Sequence, residues 1–435
     1  MYDRGRRPLI SGGGRSKGDS AMQVQVTRTD LLKELQILGG VIDKRPNVPS
    51  TSHILCTAEL SAEGTGGQLR LTATNLDTTV LTSCPAHVLS DGGGLLPGRL
   101  WVDIVRLMSG DEVVMRSGKD SGMQLQCGSA RFRLLGPDTD SFPSLPERPA
   151  AAFGIAPGQL LSALEGVKFA VSRDEGRYNL TVVQGVLSWP GAAPAGTVPA
   201  DLASAAPAPG RVDLRLVATD GHRLALAWLP GAVVNREGLL SADNPRLSFL
   251  LPRRGVQDLL RLLSDAPPGD ADFGIGDRFL FFRVGHRQLW AVQGGGLFPS
   301  LDSVLQPQTP YQVVLPLRPL VAALRRLLPV ADETIAAALL TFRAGQLEMS
   351  SQSSVVGDAV ESMDIAYDGP TIEIMFNAHY LLDILGAMTT EQVMFRFKDE
   401  ISAVELRPFS PETPAGDGGD VGKPVFRYIV MPLRK

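Results

Sequence analysis

The chain has 435 residues, of which 44% are hydrophobic and 20% charged, and a formal net charge of −4. That length exceeds one ordinary core and sets an expectation of two to four domains. No run of about 18 apolar residues occurs, so no transmembrane helix and no membrane partner are expected. The acidic balance argues against a uniformly basic surface and favours an enzyme or a protein-binding module. A nucleic-acid role would need the basic residues gathered on one side.

Residues 1–21 carry Arg4, Arg6, Arg7, Lys17 and three consecutive glycines but no apolar h-region. They read as a disordered leader rather than a secretory signal, with Met22 a candidate start. Val24 and Val26 alternate with polar neighbours, which predicts a short strand. Thr29 or Asp30 is then placed to cap a helix over residues 31–38. Strands follow at 53–60, 68–73 and 78–84, a second helix at 100–108, and strands around Val113 and at 131–135. The segment Phe142-Pro-Ser-Leu-Pro146 reads as a boundary.

The order then restarts. A strand at 153–155 precedes a helix at 158–171, strands at 180–187 and 214–230, and a helix at 255–263. Phe298-Pro-Ser-Leu301 closes this round as Phe142-Pro-Ser-Leu145 closed the first. A third round begins at Tyr311, with helices at 317–328 and 378–388. First helices share Leu31-Leu32-x-x-Leu35, Leu160-Leu161-x-x-Leu164 and Leu320-Val321-x-x-Leu324. Second helices share an aspartate and a following apolar run, at Asp103, Asp258 and Asp383. A period of about 125–160 residues is domain-sized, so the expectation is three tandem α+β domains rather than a solenoid. The expected bounds are 22–147, 150–306 and 310–435, with flexible inserts at about 190–210 and 408–424.

The segment Leu214–Pro230 is the most informative. Two strands flank Asp220-Gly221-His222-Arg223, where glycine accepts the positive φ of a tight turn. A plainer copy stands at 69–77 and a fainter one at 347–352. Asp220 and His222 resemble an acid/base pair, but no serine or cysteine nucleophile partners them. The five histidines do not cluster, and no metal-ligand spacing or phosphate-cradling glycine pattern occurs. Catalysis is therefore the lesser reading of this turn, and no cofactor or metal is expected. Cys56, Cys84 and Cys127 lie far apart with no C-x-x-C pair, which fits a reducing cytosol and a cytoplasmic location. On or beside the six helices stand Lys33, Arg99, Arg106, Lys168, Arg253, Arg254, Arg261, Arg318, Arg325 and Arg326. Against these ten cations are six anions, Asp30, Glu34, Asp103, Glu165, Asp258 and Asp383. A basic bias on helices inside an acidic chain suggests that they face a polyanion.

Val217-Ala-Thr-Asp-Gly-His-Arg-Leu224 and the tail Val430-Met-Pro-Leu-Arg434 resemble the signatures of the bacterial DNA polymerase III beta sliding clamp family. Leu251-Pro-Arg-Arg-Gly255, Phe298-Pro299 and Phe376–Asp383 match it too, and the likeness runs from about Met22 to the end. The resemblance implies a DNA clamp fold: three similar domains per subunit in a head-to-tail homodimeric ring, helices lining the hole and sheets outside. It implies a non-catalytic processivity factor that encircles double-stranded DNA without reading its sequence and tethers the replicative polymerase. A duplicate clamp with altered partner affinity remains an alternative, as does an enzyme using Asp220 and His222.

The resemblance further implies a pocket for Leu/Phe motifs of the polymerase, the clamp loader and other partners. Its lining here would be Leu180, Thr219, Gly221, His222, Arg223, Leu224, Pro299, Val304, Asn377, Tyr380, Ile401, Val430, Met431, Pro432, Leu433 and Arg434. Arg223 and Asn377 would hydrogen-bond peptide backbone. Ser303 replaces a basic rim residue and Ala403 a small polar one. DNA contacts would fall to Arg45, Arg173, Arg253 and Arg254. The dimer interface would bring Phe132 and Leu134 against Leu327 and Leu328.

Overall fold

A computed structural model describes residues 22–43, 47–61, 66–117, 122–193, 208–301, 304–305, 309–332, 334–411 and 423–434. It divides into two compact units. One holds the chain up to Ala73 together with Ser83–Pro143, and the other holds Thr74–Thr82 and everything from Ser144 onward.

A single ten-element order occurs three times. The first round is β1 (Gln23–Thr27), α1 (Arg28–Gly39), β2 (His53–Leu60), β3 (Gly67–Thr74), β4 (Thr78–Ser90), β5 (Gly92–Pro97), α2 (Gly98–Leu107), β6 (Glu112–Ser117), β7 (Gly122–Cys127) and β8 (Ala130–Leu135). The second is β9 (Phe153–Ile155), α3 (Pro157–Val167), β10 (Val182–Ser188), β11 (Arg211–Thr219), β12 (Arg223–Asn235), β13 (Arg246–Pro252), α4 (Arg253–Leu263), β14 (Ala271–Ile275), β15 (Phe279–Val284) and β16 (Arg287–Val292). The third is β17 (Tyr311–Pro316), α5 (Leu317–Leu327), β18 (Ala337–Arg343), β19 (Gln346–Ser353), β20 (Gly357–Asp364), β21 (Ile372–Asn377), α6 (Ala378–Gly386), β22 (Gln392–Phe397), β23 (Val404–Phe409) and β24 (Val425–Val430).

The pairings repeat with the order. The second strand of each round sits between its third and fifth, all antiparallel: β2 between β3 and β5, β10 between β11 and β13, β18 between β19 and β21. The two helices of each round pack on each other. Buried leucines explain why: Leu31, Leu35 and Leu38 mark one face of α1, and Leu320, Leu324 and Leu327 one face of α5. The cap of α1 lies two to three residues earlier than the sequence suggests. Thr27, not Thr29 or Asp30, accepts the Asp30 N–H through Oγ1 at 3.3 Å, and Asp30 serves the first turn as a favourable anion.

Within the larger unit, two strand pairings join consecutive rounds. β16 pairs with the first residues of β4, and β24 pairs with β12 from Arg223 to Trp228. The faces of β12 are covered as well, by α3 and by the apolar cluster that includes Leu301 and Leu305, which is why 11 of its 13 residues are inaccessible and polar alternation is lost. Several strands carry a partner on one side only among the described residues, among them β8, bonded to β7, β20, bonded to β19, and β21 at the other edge of the sheet that holds β20. All three cysteines are free and buried. Burial pushes the Cys56 thiol up to about 12, and burial with the nearby Glu34 and Asp30 carboxylates does the same for Cys84.

Candidate partner-binding site

The turn between β11 and β12 is fixed by its own side chains. Thr219 Oγ1 donates to the Arg223 carbonyl at 2.7 Å and accepts from Gly221 N at 3.1 Å. Asp220 Oδ1 accepts from the backbone of His222 and of Arg223, each at 3.0 Å. Gly221 sits at φ +91°, and a Cβ there would meet Arg177 Nη1 at 3.3 Å and Leu180 Cδ1 at 4.0 Å. The Asp220 carboxylate is therefore spent on the turn, and His222 is exposed, its ring stacked on Tyr380 at 5.9 Å.

Arg223 is the hub. Only 9% exposed, it donates from Nε to Asp220 Oδ2 at 3.0 Å, from Nη1 to Asp383 Oδ2 at 2.7 Å and from Nη2 to the Phe169 carbonyl at 3.1 Å. Its guanidinium also lies 5.1 Å from the Phe169 ring and 4.6 Å from the Tyr380 ring. Burial and the Asp220 carboxylate push the Tyr380 phenol up, against the opposing pull of Arg223 and Arg177. Three of its five N–H donors thus hold the second round to the third. Asn377 also has a local structural role. Its Oδ1 accepts from His379 N at 2.9 Å and Tyr380 N at 3.2 Å, and its Nδ2 donates to the Ile335 carbonyl at 2.9 Å, so it caps α6.

The C-terminal tail is strapped across this turn. Val430 lies opposite Arg223 in the strand pairing, Met431 N donates to the His222 carbonyl at 2.9 Å, and Leu433 N donates to the Met375 carbonyl at 2.7 Å. Beneath it, Val217, Leu224, Leu226, Trp228, Leu301, Leu305 and Ile429 form one apolar cluster, with Phe298, Val304 and Ala403 packed on it. A buried ion cluster stands on the neighbouring strands. Glu405 accepts from Arg427 at 2.6 Å and Arg407 at 3.0 Å through Oε1, and from Arg396 at 3.2 Å through Oε2. Arg427 also donates to the Leu305 carbonyl at 2.9 Å, which ties the connection between rounds to the sheet.

Of the pocket residues expected from the sequence, Leu180, Thr219, Gly221, His222, Arg223, Leu224, Val304, Tyr380, Val430 and Met431 are brought together by these contacts. Pro299, Pro432 and Leu433 are half-buried, Arg434 is exposed, and Ile401 is 73% exposed. Met431, at 42%, leaves a flexible apolar side chain open beside the turn.

For the other predicted sites the outcome is mixed. Arg45 and Ser303 lie outside the described residues. Arg173 and Arg254 are exposed, whereas Arg253 is half-buried at the start of α4, its N–H bonded to the Thr181 carbonyl. The basic bias of the helices is smaller than the count implied. Arg106 pairs with Asp103 at 3.1 Å, Lys168 with Glu165, Arg261 with Asp258, and Arg326 with Glu361 of β20. Leu327 is corrected as an interface residue: at 1% exposure it faces its own core, and Leu328 is half-buried. Leu134, at 7%, also points inward, opposite Met123, while Phe132 is 37% exposed.

The sequence missed the partners of the repeated helix aspartates. Asp383 binds Arg223, and Asp258 Oδ2 accepts from Thr78 Oγ1 at 2.8 Å. Burial pushes the Asp258 carboxyl up, against the pull of Thr78, Arg261 and Arg254. The recurring aspartate was the available signal, but its bonding partners lie far away in sequence.

Among the described residues no His, Cys, Asp and Glu cluster could hold a metal ion, and no helix is long and apolar enough to cross a membrane. Three rounds of one helix-pair-and-sheet module, joined strand to strand, define the DNA clamp class of α+β protein. The family model for the N-terminal domain of the DNA polymerase III beta subunit matches residues 22–146, and that for its C-terminal domain matches 304–414. The beta sliding clamp of Pseudomonas putida is 27% identical over 415 residues, covering 95% of this chain and 100% of the relative. That of Caulobacter vibrioides is 28% identical over 422 residues, with 95% and 100% covered. The solved DNA polymerase III subunit beta of Pseudomonas aeruginosa superposes with a TM-score of 0.79 at 26% identity, covering 95% of this chain and all of that one. A Bartonella birtlesii sliding clamp bound to griselimycin gives 0.79 and 26%, with 96% and 100% covered. The chain belongs to the DNA polymerase III beta subunit family of sliding clamps.

Proposed function

We propose that two copies of this chain close head to tail into a ring around duplex DNA, and that the ring tethers a replicative polymerase without itself catalysing a reaction. The observation that carries this reading is the charge on two of the open strands, β8 and β20. An unpaired edge invites another strand, and a soluble protein covers or charges it. β8 presents Arg131 and Arg133 on one sheet face with Arg116 and leaves Phe132 part-exposed on the other, whereas β20 presents Asp358, Val360 and Asp364, with Glu361 on its opposite face. The two edges carry opposite charge, so a second copy fits and a like edge is repelled. A heterologous contact of this kind closes a ring when the rotation permits.

A ring held on DNA by topology needs little affinity, which reconciles the role with a net charge of −4. Loose phosphate contacts from Arg173 and Arg254 suffice, and tight ion pairing would hinder sliding. The turn and tail described above form the docking site for short segments with Leu and Phe anchors from polymerase, clamp loader and other partners. Burying one such anchor against Met431 and the Leu180–Leu224 wall is worth about 1.5–3 kcal/mol before ordering costs, which supports exchangeable binding. The enzyme reading loses ground because Asp220 is committed to three hydrogen bonds within its own turn.

The decisive test is topological. Loaded by a clamp loader onto nicked circular DNA, the protein stays bound until the circle is cut, then leaves by the free ends. Retention on the linear product, or failure to load, would count against the ring. For the docking site, Met431→Ala weakens a Leu/Phe motif peptide about fivefold with the dimer intact. Unchanged peptide affinity would remove Met431 from the site.

A further inference from the structure

The docking turn and its strap have a complete second copy in the larger unit, where β4 pairs with β16. Thr74 Oγ1 donates to the Thr78 carbonyl at 3.1 Å and accepts from Leu76 N at 3.1 Å, as Thr219 serves Arg223 and Gly221. Asn75 Oδ1 accepts from Asp77 N at 3.1 Å and Thr78 N at 2.8 Å, the role of Asp220. Thr78 Oγ1 donates to Asp258 as Arg223 donates to Asp383. The strap is copied too. Val292 N donates to the Asp77 carbonyl at 2.8 Å and Gly294 N to the Leu250 carbonyl at 2.9 Å, matching Met431 on His222 and Leu433 on Met375.

The register fixes which residue stands where. Ala291 lies opposite Thr78 as Val430 lies opposite Arg223, so Val292 takes the place of Met431 and Trp290 that of Ile429. On the next strand Phe279 and Phe281 take the places of Ala403 and Glu405. The floor is therefore aromatic: Phe281 and Trp290 pack with Leu81, and Phe279 and Ala151 lie against them. Trp290 is 4% exposed, and its Nε1–H has no acceptor among the described residues. Two cations already rest on these rings, Arg148 at 5.3 Å from Phe281 and Arg278 at 5.2 Å from Phe279. Leu76, in the place of Gly221, holds a left-handed φ of +76° and is 49% exposed, so a strained turn presents an apolar side chain to solvent. The rim is acidic. Asp77 replaces His222 and Asp277 replaces Ile401; both are exposed, and neither carboxylate has a partner among the described residues.

We propose that this copy is a second docking site, selective for a short basic segment with a leucine-class anchor. Lysine or arginine side chains of the segment meet Asp77 and Asp277, the anchor packs on Leu76, Phe279 and Val292, and the Trp290 N–H is the floor donor left for a backbone carbonyl. The proposal rests on the reading of the Asp220–Arg223 turn as a docking site, and the two sites are sorted by the charge at the rim. One chain then holds two segments of different charge at once.

The probe is a fluorescein-labelled heptapeptide that alternates lysine and leucine, titrated into the full chain at about 0.15 M salt and followed by anisotropy. Saturable binding is expected. It weakens about tenfold when Asp77→Asn and Asp277→Asn are combined. Leu76→Gly, which suits the left-handed turn and removes only the anchor contact, weakens it about fivefold. A Leu/Phe motif peptide leaves the probe bound, and Met431→Ala leaves its affinity unchanged. Absence of saturable binding, equal binding of a lysine/serine peptide, or full affinity in both variants overturns the proposal. Displacement by the Leu/Phe peptide places the probe in the Met431 site and overturns it as well. A Leu/Phe peptide that fails to bind the unmodified chain overturns the docking reading of the Asp220–Arg223 turn, and the argument from repetition with it.

Discussion

Replacing Arg223 by alanine separates a structural clasp from a peptide contact. The side chain is 9% exposed and makes three charge-assisted hydrogen bonds. Its removal leaves the Asp220 carboxylate, 17% exposed, without its cation and the Phe169 carbonyl without a donor, a loss of about 3 kcal/mol by comparison with broken buried pairs. The bond to Asp383, which is 52% exposed, adds only a few tenths after solvent screening. The stacking on Phe169 and Tyr380 adds about 0.5 kcal/mol apiece. The sum of about 4 kcal/mol corresponds to a fall of about 5–10 °C in the unfolding temperature of the larger unit, read by calorimetry. Arg223→Lys recovers little, because a point ammonium cannot span three acceptors. An Arg223→Ala protein that melts within about 1 °C of the original and yet loses peptide affinity would refute the clasp.

Leu327→Ala is expected to cost about 2–5 kcal/mol of stability through a cavity under α5, with the dimer constant of the folded fraction unchanged. Denaturant titration and sedimentation read the two quantities, and a weakened dimer at full stability would return Leu327 to the interface. Glu405 gives the chain an acid-sensitive element. Burial opposes its ionisation, but Arg427 and Arg407 outweigh burial and hold its carboxyl below the ordinary 4.5. A depressed carboxyl stabilises the fold fully above that ordinary value and ceases to do so as pH falls through the folded one. The original chain should therefore lose stability below about pH 4.5 more steeply than Glu405→Gln, as urea midpoints across that range will show. Equal slopes would mean that the cluster adds no acid sensitivity.

The triplication was legible because helix pairs and turn motifs recur in order, and each round folds into the same ten elements. The docking turn was legible for the same reason: Asp-Gly and its flanking alternation are local signals. What escaped was set by contacts at long range. Arg223 reads as a free guanidinium until Asp383, 160 residues onward, is brought beside it. Asn377 reads as a polar wall residue until the start of α6 makes it a cap. Leu327 and Leu328 are indistinguishable as an adjacent pair, and only the end of α5 decides which of them faces inward. Charge on the helices was overcounted because i,i+3 partners such as Glu165 and Lys168 cancel locally.

The buried thiols have a practical corollary. At neutral pH a thiol with a pKa of about 12 is ionised about a thousandfold less than one at the ordinary 9.0, so Cys56 and Cys84 are chemically silent while the fold is intact. Alkylation of either one reports a molecule that has opened its core. A brief pulse of a thiol reagent therefore counts open molecules, and because both cysteines lie in the first round, it times the opening of that round.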